Sequence, residues 1–126
     1  MTPLRFFLAF GFAINGLWML AAPLHWFNTV PGVVDSGPFN DHFVRDVGIA
    51  YALSGIAFLQ LARGIAGAQP YAMAGVIFLL AHAGFHLAET LAGVRDIPHL
   101  LTDLPAVVVL PLAAAWAARR SVTTSF

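Results

Sequence analysis

Two histidines and a glutamate lie on one face of an apolar segment, residues 71–91. His82, His86 and Glu89 are spaced i, i+4 and i+7, which places them within about 60° of one another on a helix. Ionisable side chains inside a membrane are costly, and where they occur they usually mark a functional site. Imidazole and carboxylate groups together are typical of metal or proton chemistry.

The composition is that of an integral membrane protein. The chain has 126 residues, of which 60% are hydrophobic and 10% charged, whereas soluble domains carry about 25% charged residues. The mean hydropathy is +0.81. Six arginines balance six acidic residues, and the sequence has no basic stripe of the kind that binds nucleic acid. The absence of cysteine excludes disulfides, thiolate zinc sites and iron–sulfur clusters.

Four segments are long and apolar enough to cross a bilayer, which needs about 20 residues each. They are residues 4–25, 42–63, 71–91 and 99–118. Short connections make consecutive helices antiparallel. We therefore predict a single all-α domain, residues 1–126, folded as an integral membrane four-helix bundle. The first connection, residues 28–40, is the longest and the only one able to fold back as a lid.

The arginine distribution indicates the orientation. Positively charged residues concentrate on the cytoplasmic side. With both termini inside, four arginines are cytoplasmic and two are not; the four are Arg5, Arg63, Arg119 and Arg120, and the two are Arg45 and Arg95. We expect an inner or plasma membrane protein with both termini in the cytoplasm and the first loop on the extracytoplasmic side.

This alternation of chain direction gathers the ionisable side chains of three spans in the outer half of the bundle. They are His42, Arg45, Asp46, His82, His86, Glu89, His99 and Asp103. Imidazole and carboxylate ligands suit zinc, iron or manganese. We predict a divalent-metal site with His82, His86, Asp46 and Asp103 as main ligands, and His42 and His99 as further ligands or their hydrogen-bond partners.

Two other residues are candidate catalytic groups. Glu89 would act as a general base beside a metal-bound water, and Arg45 would serve as a counter-ion or bind an anionic headgroup. The predicted function is a small membrane hydrolase or oxidoreductase acting on a lipid or other apolar molecule reached from the bilayer.

The His-x-x-x-His spacing of His82 and His86 resembles one histidine box of membrane fatty-acid desaturases and hydroxylases. The resemblance covers five residues and implies metal chemistry in the membrane. The further histidine boxes of those enzymes do not occur in this chain.

Other functions fit the same residues. A haem could be ligated by His86 together with His42 or His99, and a quinone could bind in the same region. A transport or proton-relay module would need homo-oligomerisation, since four short helices make a small pathway. A non-catalytic membrane subunit would use the polar cluster as a structural hydrogen-bond network.

Overall fold

Four long helices and one short helix make up the computed structural model, which describes residues 1–119. The helices are α1 (Thr2–Ala21), α2 (Pro23–Thr29), α3 (Asp41–Ala62), α4 (Ala68–Leu91) and α5 (Ile97–Ala118). All but α2 are long and apolar enough to cross a membrane. The prediction of four membrane-length helices is therefore confirmed, and no strand occurs within residues 1–119. Arg120, used above to predict the orientation, lies outside the described part of the chain.

The first span is shorter than predicted. A helix over residues 4–25 was expected, but α1 ends at Ala21 and the chain turns at Ala22, whose φ is −142° and ψ is 63°. Pro23 causes this break, because proline has no N–H and disfavours helical geometry in the residue before it. Residues His25 and Trp26 consequently lie in the separate helix α2 rather than at the end of α1.

Helices α1 and α3 pack with their backbones in contact. A Cβ atom at Gly16 would lie 2.5 Å from the backbone nitrogen of Ala52, and one at Gly55 would lie 2.6 Å from that of Ala13. Small residues allow this close approach in a membrane protein. The contact fixes which face of α3 is buried, a face that includes Val44 and Gly48.

The remaining helices pack on this pair in sequence. Helix α4 contacts α3, α5 contacts α4, and α5 returns to contact α1. The main core lies toward the termini and is built from Leu8, Phe12, Phe58, Val76, Leu79 and Ala114. Helix α4 has no buried residue after Leu79, so its histidine-containing half is less tightly packed than its first half.

Polar side chains cap two of the long helices. The Asn40 carboxamide accepts a hydrogen bond from the backbone nitrogen of Phe43 at 3.0 Å, as expected for an N-cap. Asp96 does the same for α5 by accepting from the nitrogen of His99 at 2.9 Å. Pro70 lies in the first turn of α4, which begins at Ala68.

The middle of α5 is a π-helix. Residues Leu104–Val109 form it, between α-helical segments Ile97–Asp103 and Leu110–Ala118. Pro105 cannot donate to the carbonyl of Leu101, and its ring crowds that oxygen. The backbone therefore forms hydrogen bonds five residues apart instead of four, and the nitrogen of Leu110 donates to the carbonyl of Pro105. The helix thus accommodates Pro105 by an inserted residue.

Candidate metal centre

Asp103 lies between two imidazole rings. Its Oδ2 atom is 2.8 Å from Nδ1 of His86 and 3.3 Å from Nε2 of His99. The exposed fractions of the three side chains are 8% for Asp103, 17% for His86 and 11% for His99. One ligand atom from each residue lies within 4.8 Å of the other two. We call these three residues the metal group.

Two helices and one cap hold the metal group in place. His86 is on the last turns of α4, while His99 and Asp103 are one turn apart on α5. Asp96 fixes the start of α5 by capping the nitrogen of His99. The π-helix begins directly after Asp103, so the position of this carboxylate relative to the rest of α5 depends on that insertion.

The first loop covers the metal group. Gly32 has φ of +81°, and a Cβ atom there would lie 2.7 Å from Oδ1 of Asp103. Only glycine suits both the backbone conformation and the close approach. Arg95 holds the loop in this position by donating from Nη1 and Nη2 to the backbone carbonyls of Asp35 and Ser36. The first loop thus lies over the site, as its length suggested.

A cleft opens beside His99. Its volume is about 600 Å³, which is in the range of small-molecule sites. It is lined by the first loop, the α4–α5 connection and the first turns of α5, including Gly32, Asp35, Arg95, Asp96, His99 and Thr102. The metal group is therefore accessible from one side through His99, while Gly32 covers Asp103.

Two predicted site residues on α4 lie next to the metal group but outside it. The ring centroids of His82 and His86 are 4.7 Å apart in an edge-to-face arrangement, and the ring of Phe78 stacks on His82 at 6.3 Å. Glu89 lies 3.9 Å from Nε of Arg95. His82 therefore contacts the metal group through His86, and Glu89 contacts the arginine that holds the loop.

Three predicted site residues on α3 are not brought to the metal group. His42 and Asp46 pair with each other at 3.3 Å, with side chains 90% and 58% exposed. Arg45 binds Asp41 at 2.9 Å and the backbone carbonyl of Leu20. The cause is the rotation of α3: Asp46 is two residues from both Val44 and Gly48, hence about 160° from the face packed on α1.

The donor set fits a divalent cation. Two imidazole nitrogens and one carboxylate oxygen are common ligands of zinc, iron and manganese. Metal–ligand bonds of about 2 Å limit two ligand atoms on one ion to about 4 Å apart. Side-chain movements of about 1 Å would bring the donors, now within 4.8 Å of one another, to such positions.

The same geometry does not fit a haem between His86 and His99. Asp103 occupies the space between the two rings, within 2.8 Å of one and 3.3 Å of the other. A porphyrin has no room there. His42, the other partner considered for His86, is 90% exposed and paired with Asp46.

Two contributors to the site were not identified from the sequence. Gly32 is not among the predicted site residues, and Arg95 was considered only as a charge on the outer side. The length of the first loop is the sequence feature that could have indicated both residues. The contact of Gly32 with Asp103, however, depends on tertiary packing. No known protein family, curated protein or solved structure matches this chain, so the proposal for its function rests on the geometry of the metal group.

Proposed function

We propose that this chain is a small integral membrane metalloprotein in which His86, His99 and Asp103 hold a divalent cation. The observation that carries the proposal is the buried carboxylate of Asp103 between imidazoles of two different spans. Three protein ligands are typical of catalytic metal sites, which keep a further position for water or substrate. The cleft beside His99 provides access to that position.

Electrostatics favours a cation at this place. A buried carboxylate is stable only when it is paired or well hydrogen-bonded. Each neutral imidazole has one N–H, so His86 and His99 can both donate to Asp103 without supplying charge. A divalent cation would neutralise the carboxylate and make use of both imidazoles as ligands.

The neighbouring residues have supporting roles in this proposal. A bound divalent metal would supply Lewis acidity and an activated water. Glu89 is the candidate general base, and its carboxylate lies 3.9 Å from Nε of Arg95. His82 packs against His86 and restricts the orientation of that ring. The cleft is lined by loop and helix-end residues, so the substrate of this proposal is a lipid or another molecule whose polar part enters the cleft while its apolar part stays in the bilayer.

The identity of the bound metal would distinguish a hydrolase from an oxidoreductase. Zinc has no redox chemistry and would indicate a hydrolase, whereas iron or manganese would permit an oxidoreductase. We expect the two imidazole nitrogens and one carboxylate oxygen of the metal group to determine which of these metals the purified protein binds.

A matched pair of variants tests the metal site. Asp103 and Asp46 each follow a histidine by four residues at 3.3 Å, but only Asp103 is buried beside a second imidazole. We expect Asp103→Asn to weaken metal binding by at least about ten-fold, and Asp46→Asn to leave it unchanged. The measurement is bound metal per chain by elemental analysis of detergent-purified protein titrated with Zn²⁺, Mn²⁺ or Fe²⁺.

Two results would contradict the proposal. Equal metal binding by wild type and Asp103→Asn would mean that the carboxylate is not a ligand. A wild-type protein that binds none of the three metals, while Asp103→Asn unfolds at a lower temperature, would instead support a structural hydrogen-bond network between α4 and α5.

A further inference from the structure

Within residues 1–119, the arginines at the end of the molecule opposite the metal group have no acidic partner. This end is formed by the start of α1, the α3–α4 turn and the end of α5, and we call it the arginine end. The six acidic residues of the chain all belong to the other end; they are Asp35, Asp41, Asp46, Glu89, Asp96 and Asp103. Arg5, Arg63 and Arg119 therefore have no side-chain carboxylate to neutralise them.

Arg5 joins the elements of the arginine end and keeps donors available. Its Nε donates to the carbonyl of Ala117 at 2.9 Å, and its Nη2 donates to the carbonyl of Arg119 at 3.2 Å. Gln69 donates to the intervening carbonyl of Ala118 at 3.4 Å. A guanidinium has five N–H donors, and two of those of Arg5 bond to residues within the described part of the chain. The other three can donate to an additional acceptor.

A cleft of about 260 Å³ lies beside Arg5 and Arg119. Its lining includes Arg5, Arg119, Gln69, Gly64 and Gly67, together with the apolar side chains of Leu61 and Ile65. The α4 N-terminus, which has no side-chain cap, forms part of the wall and adds to the positive potential. The cleft thus combines two guanidinium groups with an apolar margin.

We infer that this cleft binds the phosphate of an anionic phospholipid. A guanidinium matches the geometry and charge of a phosphate group better than an ammonium does. Basic pockets between membrane-spanning helices bind such headgroups. A free phosphate ester offers the same oxyanion, but Leu61 and Ile65 beside the arginines favour a ligand with an acyl chain. The site is independent of the metal group.

Native mass spectrometry with defined lipids tests the inference on the full-length protein. Protein purified in detergent is mixed with phosphatidylglycerol or phosphatidylcholine, and the lipid-bound fraction is measured. We expect phosphatidylglycerol to remain bound and phosphatidylcholine to be lost. Arg5→Gln and Arg119→Gln should each lower the affinity by about five-fold.

Arg63→Gln is the matched control. Arg63 lies at the same end and its substitution removes the same charge, but it is not part of the cleft lining. We expect it to leave binding unchanged. If Arg5→Gln fails to fold because the α5 carbonyls lose their donor, Arg119→Gln alone decides the result.

A competition arm identifies the source of the phosphate. If glycerol phosphate binds as tightly as phosphatidylglycerol and shows the same dependence on Arg5 and Arg119, the site takes a free phosphate ester. Equal weakening by all three arginine variants would indicate diffuse charge attraction and overturn the proposed site. Equal binding of phosphatidylcholine would also overturn it.

Discussion

At the scale of single residues, burial separates two otherwise similar His/Asp pairs. His99–Asp103 and His42–Asp46 have the same spacing and the same 3.3 Å separation. Asp103 additionally meets His86 and is 8% exposed, whereas Asp46 is 58% exposed. A carboxylate in water gains little from a nearby histidine, but a buried one requires partners. The metal proposal therefore rests on the first pair together with His86.

Gly32 provides a test of how the first loop supports Asp103. Gly32→Ala places a Cβ atom 2.7 Å from Oδ1 of Asp103 in addition to straining a φ of +81°. Gly64→Ala strains a similar φ of +71° in open space at the arginine end. We expect both to lower stability by about 1 kcal/mol or more, measured by thermal unfolding in detergent. Only Gly32→Ala should also weaken metal binding, and equal metal affinities for the two variants would argue against the loop contact.

At the scale of elements, the π-helix in α5 sets the angle at which Asp103 faces α4. One inserted residue rotates the segment before it by about 100° relative to the segment after it. The sequence contains the cause, since Pro105 removes a helical hydrogen bond to the carbonyl of Leu101. It could not show whether the result would be a bend or an insertion, because that depends on how α5 packs against α4.

Removing the proline tests this geometry. Pro105→Ala restores the N–H that can donate to Leu101 and favours a regular helix through Leu104–Val109. We expect metal affinity to fall by about ten-fold while helical content by circular dichroism is maintained or rises. Pro70→Ala, at an exposed position in the first turn of α4, is the control and should change neither. Unchanged metal affinity in Pro105→Ala would show that the insertion does not position the carboxylate.

The helix faces explain which of the predicted ligands lie together in the structure. The spacing of His82 and His86 on α4, and of His99 and Asp103 on α5, identified residues that lie together in the structure. The same reasoning placed His42 and Asp46 in the cluster. In the structure, both lie outside it and pair with each other. The rotation of α3 is set by contacts of Gly16 and Gly55 with the opposite backbone, and periodicity alone does not specify which partner a helix face meets.

At the scale of the whole molecule, charge is divided between the two ends. All six acidic residues belong to the metal-group end, and Arg5, Arg63 and Arg119 belong to the other. Hydropathy was sufficient to predict the four long helices, because backbone groups in lipid must be satisfied within helices. The short helix α2 was missed because Pro23 divides an otherwise continuous apolar segment.

The orientation in the membrane can be tested by cysteine labelling. Because the chain has no cysteine of its own, only an introduced cysteine would react. We expect the arginine end to face the cytoplasm, as positive charge favours. A membrane-impermeant thiol reagent should then label Pro38→Cys on intact cells and label Ala66→Cys only after lysis. The reverse pattern would place the metal group on the cytoplasmic side.

The most direct test of the metal proposal is X-ray absorption spectroscopy of the metal-loaded protein. We predict two imidazole nitrogen ligands at about 2.0–2.1 Å together with oxygen ligands. His99→Ala should reduce the imidazole contribution to one, and His42→Ala should leave it at two. A spectrum without imidazole scattering, or one that His99→Ala does not change, would contradict the assignment of His86, His99 and Asp103 as metal ligands.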